Sequence, residues 1–239
     1  MMQTIPILNL ALSLLPAAAV LLVTQRWASN GKETLYGFGR MLLQLSLIGY
    51  FLIYIFEADT GWPVIAVLMV MILVASWISL RAVSVPRKTL YPLALVSVSL
   101  GGGITLLIIS QGVLALDPWY APRFLIPLAG MVFSSSMTSI SLASERLEAE
   151  LARGDSYTEA RRKALKAALI PITNALFAVG LVSLPGMMTG QILSGVSPVI
   201  AARYQIMVMA MLYGAAGLSA ACFLTLLKSR LILLNPAQK

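Results

Sequence analysis

Eleven charged side chains crowd into residues 144–168: Glu145, Glu148, Glu150, Asp155 and Glu159 against Arg146, Arg153, Arg161, Arg162, Lys163 and Lys166. The other 214 of the 239 residues hold only 15 charges, because the whole chain carries 17 basic and 9 acidic residues. Such an island belongs in water, and its chemistry is ion pairing and recognition of a soluble partner. Outside it, the side chains able to touch a solute are uncharged. Gln44, Asn174 and Ser183, with Met187 and Met188 beside Pro185 and Gly186, are the candidates for a pathway or a gate. Ser134, Ser135, Ser136 and Thr138 could also contribute, although hydroxyls inside apolar helices more often hold helices together.

Several chemistries are missing. The chain has no histidine and a single cysteine, Cys222, so neither a disulfide framework nor a Cys/His metal cluster can form. No phosphate-binding Gly-x-x-x-x-Gly-Lys loop and no dinucleotide fingerprint occur. Methionine is abundant, and thioethers suit Cu(I). Met207, Met209 and Met211 are spaced by two, however, and on a helix that spacing alternates faces, so they read as packing. No metal site is assigned.

These residues sit in an apolar frame. Hydrophobic residues make up 59% of the chain and charged residues 11%, with a mean hydropathy of +0.89. A helix needs about 20 apolar residues to cross a bilayer core about 30 Å thick, so the composition is that of an all-α polytopic membrane protein. Seven spans are expected: 5–24, 37–56, 63–80, 91–115, 124–143, 169–193 and 204–227. They form one transmembrane domain over residues 1–239, with a water-exposed segment at 144–168.

Lysine and arginine are retained on the cytoplasmic side. With seven spans, fifteen basic residues, from Arg26 to Lys239, fall on one side and only Arg123 and Arg203 on the other. The amino terminus is therefore expected outside and the carboxy terminus in the cytoplasm. Basic residues scattered at span ends argue for membrane orientation and against a nucleic-acid partner.

Within the island, residues 144–153 should continue the fifth span as a helix into water. Gly154 and Asp155 should break it, and Ser156 with Glu159 should cap a new helix. Pro185-Gly186 should break or bend the sixth span over 183–189. Gly101-Gly102-Gly103, the pair Gly186 and Gly190, and Ala210 with Gly214 and Gly217 offer close helix crossings.

The runs Ala167 to Pro171, Val179 to Gly190 (including LVSLPGMM) and Tyr204 to Val208 resemble the bacterial Fet/Ybb permease family. The likeness extends to Gly39-Arg40 through Gln44, Gly49-Tyr50, Gly101 to Thr105 and Ile126 to Met131, nearly the whole chain. Members are the membrane subunits of an iron-export ABC transporter, related to plant permeases linked to aluminium tolerance. The resemblance implies a non-catalytic transport subunit of the bacterial inner membrane, exporting iron or another metal. It would dimerise and dock a separate cytoplasmic ATPase that carries ATP-Mg, with no cofactor of its own. The island also looks loosely like the coupling loop of ABC importers, although Glu150 replaces that loop's second alanine and Pro171 comes a turn late. Docking is accordingly assigned to Gly154, Tyr157, Thr158, Glu159, Arg161 and Arg162. An ATP-independent secondary transporter or facilitator is the alternative.

Overall fold

A computed structural model describes residues 6–27, 31–57 and 59–234. Lys239 and the start of the first expected span lie outside the described residues. The protein is all-α, and six helical segments are long and apolar enough to cross a membrane: Asn9–Trp27, Gly31–Phe56, Trp62–Ser79, Arg87–Val113, Pro122–Ala152 and Pro198–Lys228.

The chain divides into two compact units, the first ending at Glu57. The first holds α1 (Ile7–Leu12), α2 (Leu15–Trp27) and α3 (Gly31–Phe56), with α2 packed on α3. Gly31 opens α3 hard against α2, where a Cβ would come 2.9 Å from the Gln25 Cβ.

The second unit begins with α4 (Trp62–Ser79) and α5 (Arg87–Ser97). A π turn (Val98–Gly103), α6 (Ile104–Leu107) and a second π turn (Ile108–Val113) continue α5 into one long rod. Then follow α7 (Pro122–Ala152), α8 (Tyr157–Ala178), α9 (Gly186–Leu193) and α10 (Pro198–Leu234). Pro63 and Pro122 each sit in the first turn of a helix, where the missing N–H has no intrahelical partner to lose. α7 is the hub, packing on α4, α8 and α10, while α10 also lies along α5 and its π turn.

Lipid tails are as apolar as leucine, so helices in a bilayer associate through close contact and interhelical hydrogen bonds. Both occur where α7, α10 and the first π turn meet. Gly101 lies directly on Ser219, and a Cβ there would overlap the Ser219 backbone, 2.7 Å from its Cα. Gly102 faces Ser136 and Phe133, with Cβ distances of 3.0 and 3.1 Å. The Ser219 hydroxyl donates to Ser136 Oγ at 3.0 Å, and Ser136 donates on to the Ala215 carbonyl at 3.4 Å. Gly101 and Gly102 thus make the crossing that their sequence announces. Gly186 and Gly190 do not, since a Cβ at either would meet nothing within 4 Å. Gly214 and Gly217 make only ordinary contacts, at 3.8 Å from Thr105 and Leu169.

The two ends of this unit are tied differently. At one, the Tyr120 hydroxyl donates to Asp59 O at 2.6 Å, Gln111 Nε2 donates to Trp119 O at 3.1 Å, and the Trp119 indole covers Gly61. At the other, Ser84 N donates to Glu148 Oε2 at 3.1 Å, which joins the α4–α5 turn to the end of α7. Arg81, Arg87 and Lys88 therefore share an end with the charged island, and Arg123 and Arg203 start helices at the opposite end.

The continuous span expected over 169–193 is corrected. α8 ends at Ala178, an irregular turn occupies 179–185, and α9 restarts at Gly186. Gly180 adopts φ +85°, a left-handed conformation that glycine tolerates. The Ala178 carbonyl accepts from Val182 N at 2.8 Å and Ser183 N at 3.1 Å, closing a tight turn. Pro185 is the N-cap of α9, so the chain breaks before the proline, a few residues earlier than 183–189 suggested. The π turns were not anticipated.

Adding one methyl group at the crossing tests its tightness. Gly101→Ala should lower thermal stability in detergent by about 1–3 kcal/mol, the usual cost of overpacking. Gly103→Ala, which meets nothing within 4 Å, should not. Equal melting temperatures for both variants would disprove the close contact.

Candidate functional site: a clasped basic turn and a hydroxyl-lined cleft

α7 runs past its apolar part into the charged island and stops at Ala152, as the alanine- and leucine-rich sequence around Glu145, Glu148 and Glu150 favours. Gly154, at φ +93°, turns the chain, and Ser156 caps α8 by accepting from Glu159 N at 3.3 Å. The Glu159 carboxylate does not complete a reciprocal capping box. It turns outward to Arg162, at 3.0 Å.

Glu150 holds this turn together. Its side chain is only 2% exposed, and it meets Arg146 Nη2 at 2.6 Å, Arg153 Nη1 at 3.0 Å and Lys163 Nζ at 2.8 Å. A buried carboxylate left unpaired is costly, so three cations around one carboxylate fix α7 to α8. Lys163 also meets Asp155 Oδ2 at 2.7 Å. The hydrogen bond from Lys163 holds the Asp155 carboxyl below its ordinary value of 3.8. The same contact, with Glu150 second, raises Lys163 above 10.5.

Tyr157 faces inward. Its hydroxyl donates to the Leu224 carbonyl of α10, and desolvation pushes its pKa up to about 12. Gly154, Thr158, Glu159, Arg161 and Arg162 are exposed. The expected docking set therefore splits into five outward residues and one internal anchor.

A cleft of about 320 Å³ opens between α7, α8 and α10, lined by Ser134, Ser135, Thr138 and Ser139 with Met131, Ala168, Pro171, Ile172, Leu212 and Ala216. Ser135 Oγ donates to Leu212 O at 3.1 Å and Ser139 Oγ to Ala216 O at 2.8 Å. Thr138 Oγ1 donates within its own helix, to Ser134 O at 3.0 Å. The first two hydroxyls thus join helices and line the cleft at once. Ser139 and Ser219 were not singled out in the sequence, though Ser139 follows Ser135 by four and Ser136 by three, the spacing of one helix face.

A second recess, of about 440 Å³, lies beside the α8–α9 break, with Val179, Gly180, Met188, Gln205 and Met209 among its lining residues. Gln205 is 6% exposed, and its Oε1 has no hydrogen-bond partner. Of the pathway candidates, Met188 lines this recess, Met187 is half-buried beside it in sequence, and Gly186 opens α9. Ser183 and Pro185 belong to the break, Asn174 is exposed on α8, and Gln44 is exposed on α3 of the first unit. Among the described residues, no three His, Cys, Asp or Glu side chains gather as metal ligands.

Two outcomes follow from these side chains. Asp155 is lowered and Lys163 raised by folding, so their pair contributes fully between 3.8 and 10.5. Its contribution fades as pH falls through the depressed Asp155 value, and again as pH rises through the elevated Lys163 value. Hydrogen exchange over residues 151–160, corrected for intrinsic rates, should accelerate at both extremes, and Lys163→Met should remove the alkaline dependence and weaken the acid one, which Arg153 still supports. Gln205→Leu should raise the melting temperature, because an unpartnered buried acceptor such as its Oε1 costs about 1–3 kcal/mol. A lower melting temperature would mean that the amide has a partner.

The family model described as "Uncharacterised protein family (UPF0014)" matches residues 7–232. The chain is 37% identical over 213 residues to the UPF0014 membrane protein slr1647 of Synechocystis, covering 83% of this chain and 82% of that protein. It is 32% identical over 235 residues to the "Probable iron export permease protein FetB" of Escherichia coli, covering 91% and 89%. It is also 34% identical over 225 residues to the Protein ALUMINUM SENSITIVE 3 of Arabidopsis thaliana, covering 87% and 80%. No solved structure gives a significant match. The apolar helices and this similarity over most of the chain agree: the chain is a membrane protein of the UPF0014 family.

Proposed function

We propose that the chain is the permease subunit of an ABC transporter, exporting iron or another metal and driven by a separate ATPase subunit. The observation that carries this reading is the α7–α8 turn. It projects Thr158, Glu159, Arg161 and Arg162 into water, while Glu150 bolts it to α7 and Tyr157 bolts it to α10. A flexible positive loop would need neither anchor. A rigid one suits a surface that must pass motion into the helices. The absence of a phosphate-binding loop in the sequence means that nucleotide would be hydrolysed elsewhere, with ATP-Mg on the partner. The named activity of the Escherichia coli relative supplies the metal.

In this reading the chain pairs with a second copy in a bacterial inner membrane. Its basic end is cytoplasmic, as the clustering of lysine and arginine favours. The amino terminus is outside and the carboxy terminus inside.

Cells loaded with iron should accumulate less of it when this chain and its ATPase are both present than when either is missing. Equal iron in all strains would refute metal export, and export by the chain alone would favour the ATP-independent alternative. Charge reversal at Arg161 and Arg162 should reduce co-purification of the ATPase about tenfold or more, the effect of losing charge-assisted contacts. Undiminished complex formation would move docking away from this turn.

A further inference from the structure

The cleft between α7, α8 and α10 has a chemical polarity set by the hydrogen bonds around it. A carbonyl oxygen only accepts, so Ser135, Ser139 and Thr138 must each commit their single proton to Leu212, Ala216 and Ser134. What these hydroxyls keep for the cleft is lone pairs. The remaining lining adds no donor: Pro171 has no N–H, and Met131, Ile172 and Leu212 have apolar side chains. Ser134 alone retains a free hydroxyl proton, since it makes no side-chain hydrogen bond among the described residues.

Resting on the metal-export reading, we infer that this cleft takes a hydrated metal cation and recognises it through the waters of its intact inner shell. An anion would find no cation and almost no donor there. A bare divalent ion would find no carboxylate, and a few neutral hydroxyls cannot replace the water it would shed. A hydrated ion brings metal-polarised O–H donors, the group that committed hydroxyl oxygens need. Keeping the shell also spreads the charge over a larger radius, which lowers the cost of entering a low-dielectric site. With metal–oxygen distances of about 2.1 Å and a water radius of about 1.4 Å, such an ion is about 7 Å across. A cleft of about 320 Å³ has room for it.

The depth is right as well. Ser134 lies about 18 Å along α7 from Pro122 and about 15 Å from Ser144, at about 1.5 Å per residue, so the cleft is near the middle of the apolar segment.

The probe is hexaamminecobalt(III), which has the size of a hydrated ion, presents N–H donors all round and does not exchange its ligands. In proteoliposomes of zwitterionic lipid holding the complete transporter, it should compete with ferrous ion for ATP-driven uptake. Tetramethylammonium, a cation without donors, should not compete. Thr138→Val and Ser134→Ala remove cleft oxygens that carry no interhelical bond, so the fold should survive. Together they should weaken the cobalt complex about tenfold or more, and Thr138→Ser with Ser134 intact should restore binding. Ferrous uptake unaffected by excess hexaamminecobalt(III), or equally affected by tetramethylammonium, would overturn the inference and leave metal export standing. If no ATP-driven metal uptake occurs, the proposed function fails. Equilibrium binding of the cobalt complex to the purified chain in nanodiscs then decides the inference, and wild-type binding no tighter than that of the double variant refutes it.

Discussion

In a solvent that offers helices no hydrophobic reason to associate, the contact between α7 and α10 depends on hydroxyls giving their protons to carbonyls. Ser135 and Ser139 donate to Leu212 and Ala216, and Ser219 donates through Ser136 to Ala215. Each such bond is worth only about 0.6 kcal/mol on average in membrane helices. Their value lies in register, because they match a row on α7 to a row on α10. Gly101 then lets the first π turn rest on Ser219. π turns open the helix by one residue and recur at functional sites. Here the turn brings a backbone against α10 that any side chain larger than hydrogen would hold away. The same donations decide what the neighbouring cleft can bind, so packing and the chemistry of the cleft have one origin.

The charged end uses a different force. Glu150 is as buried as a core leucine yet charged, and only the ring of Arg146, Arg153 and Lys163 makes that tolerable. These cations are 39–66% exposed, so the cluster is a plug, with its carboxylate inside and its cations at the rim. It fixes the direction in which α8 leaves α7 and thereby aims Thr158, Arg161 and Arg162.

Much of this was legible in the sequence, for physical reasons that can be named. Apolar runs long enough to cross a bilayer have no soluble alternative, so the all-α polytopic class followed at once. Gly154 and Ser156 act locally and ended one helix and began the next as their chemistry requires. The triple glycine announced a close approach. Its partner Ser219 did not show, since the contact joins residues more than a hundred positions apart. Glu150 looked like a departure from an importer loop, and only three-dimensional packing reveals its burial. Pro185 signalled a break, but the break starts earlier because Gly180, at φ +85°, lets the chain fold back onto the Ala178 carbonyl. The lone Oε1 of Gln205 carries no local signal: an unpartnered oxygen is defined by what fails to surround it.

These two regions are mechanically one object. α8 begins at the clasped turn, with Tyr157 holding Leu224, and its Ala168, Pro171 and Ile172 form a wall of the cleft. About eleven residues of helix, roughly 16 Å at about 1.5 Å per residue, separate Tyr157 from Ala168. Ala160, Ala164 and Ala168 are fully buried along that length, a small-residue seam on which α8 can lie close to its neighbours. Under the proposed function, a push on Arg161 and Arg162 cannot be absorbed by a loop, because both ends of the turn are tied. It must tilt or slide α8. The first wall to move would be the one that carries Pro171, opposite the hydroxyl row of α7. Ser135 and Ser139 bond to α10 and Thr138 within α7, none of them to α8, so the cleft can change width while the bonds that set its polarity stay made.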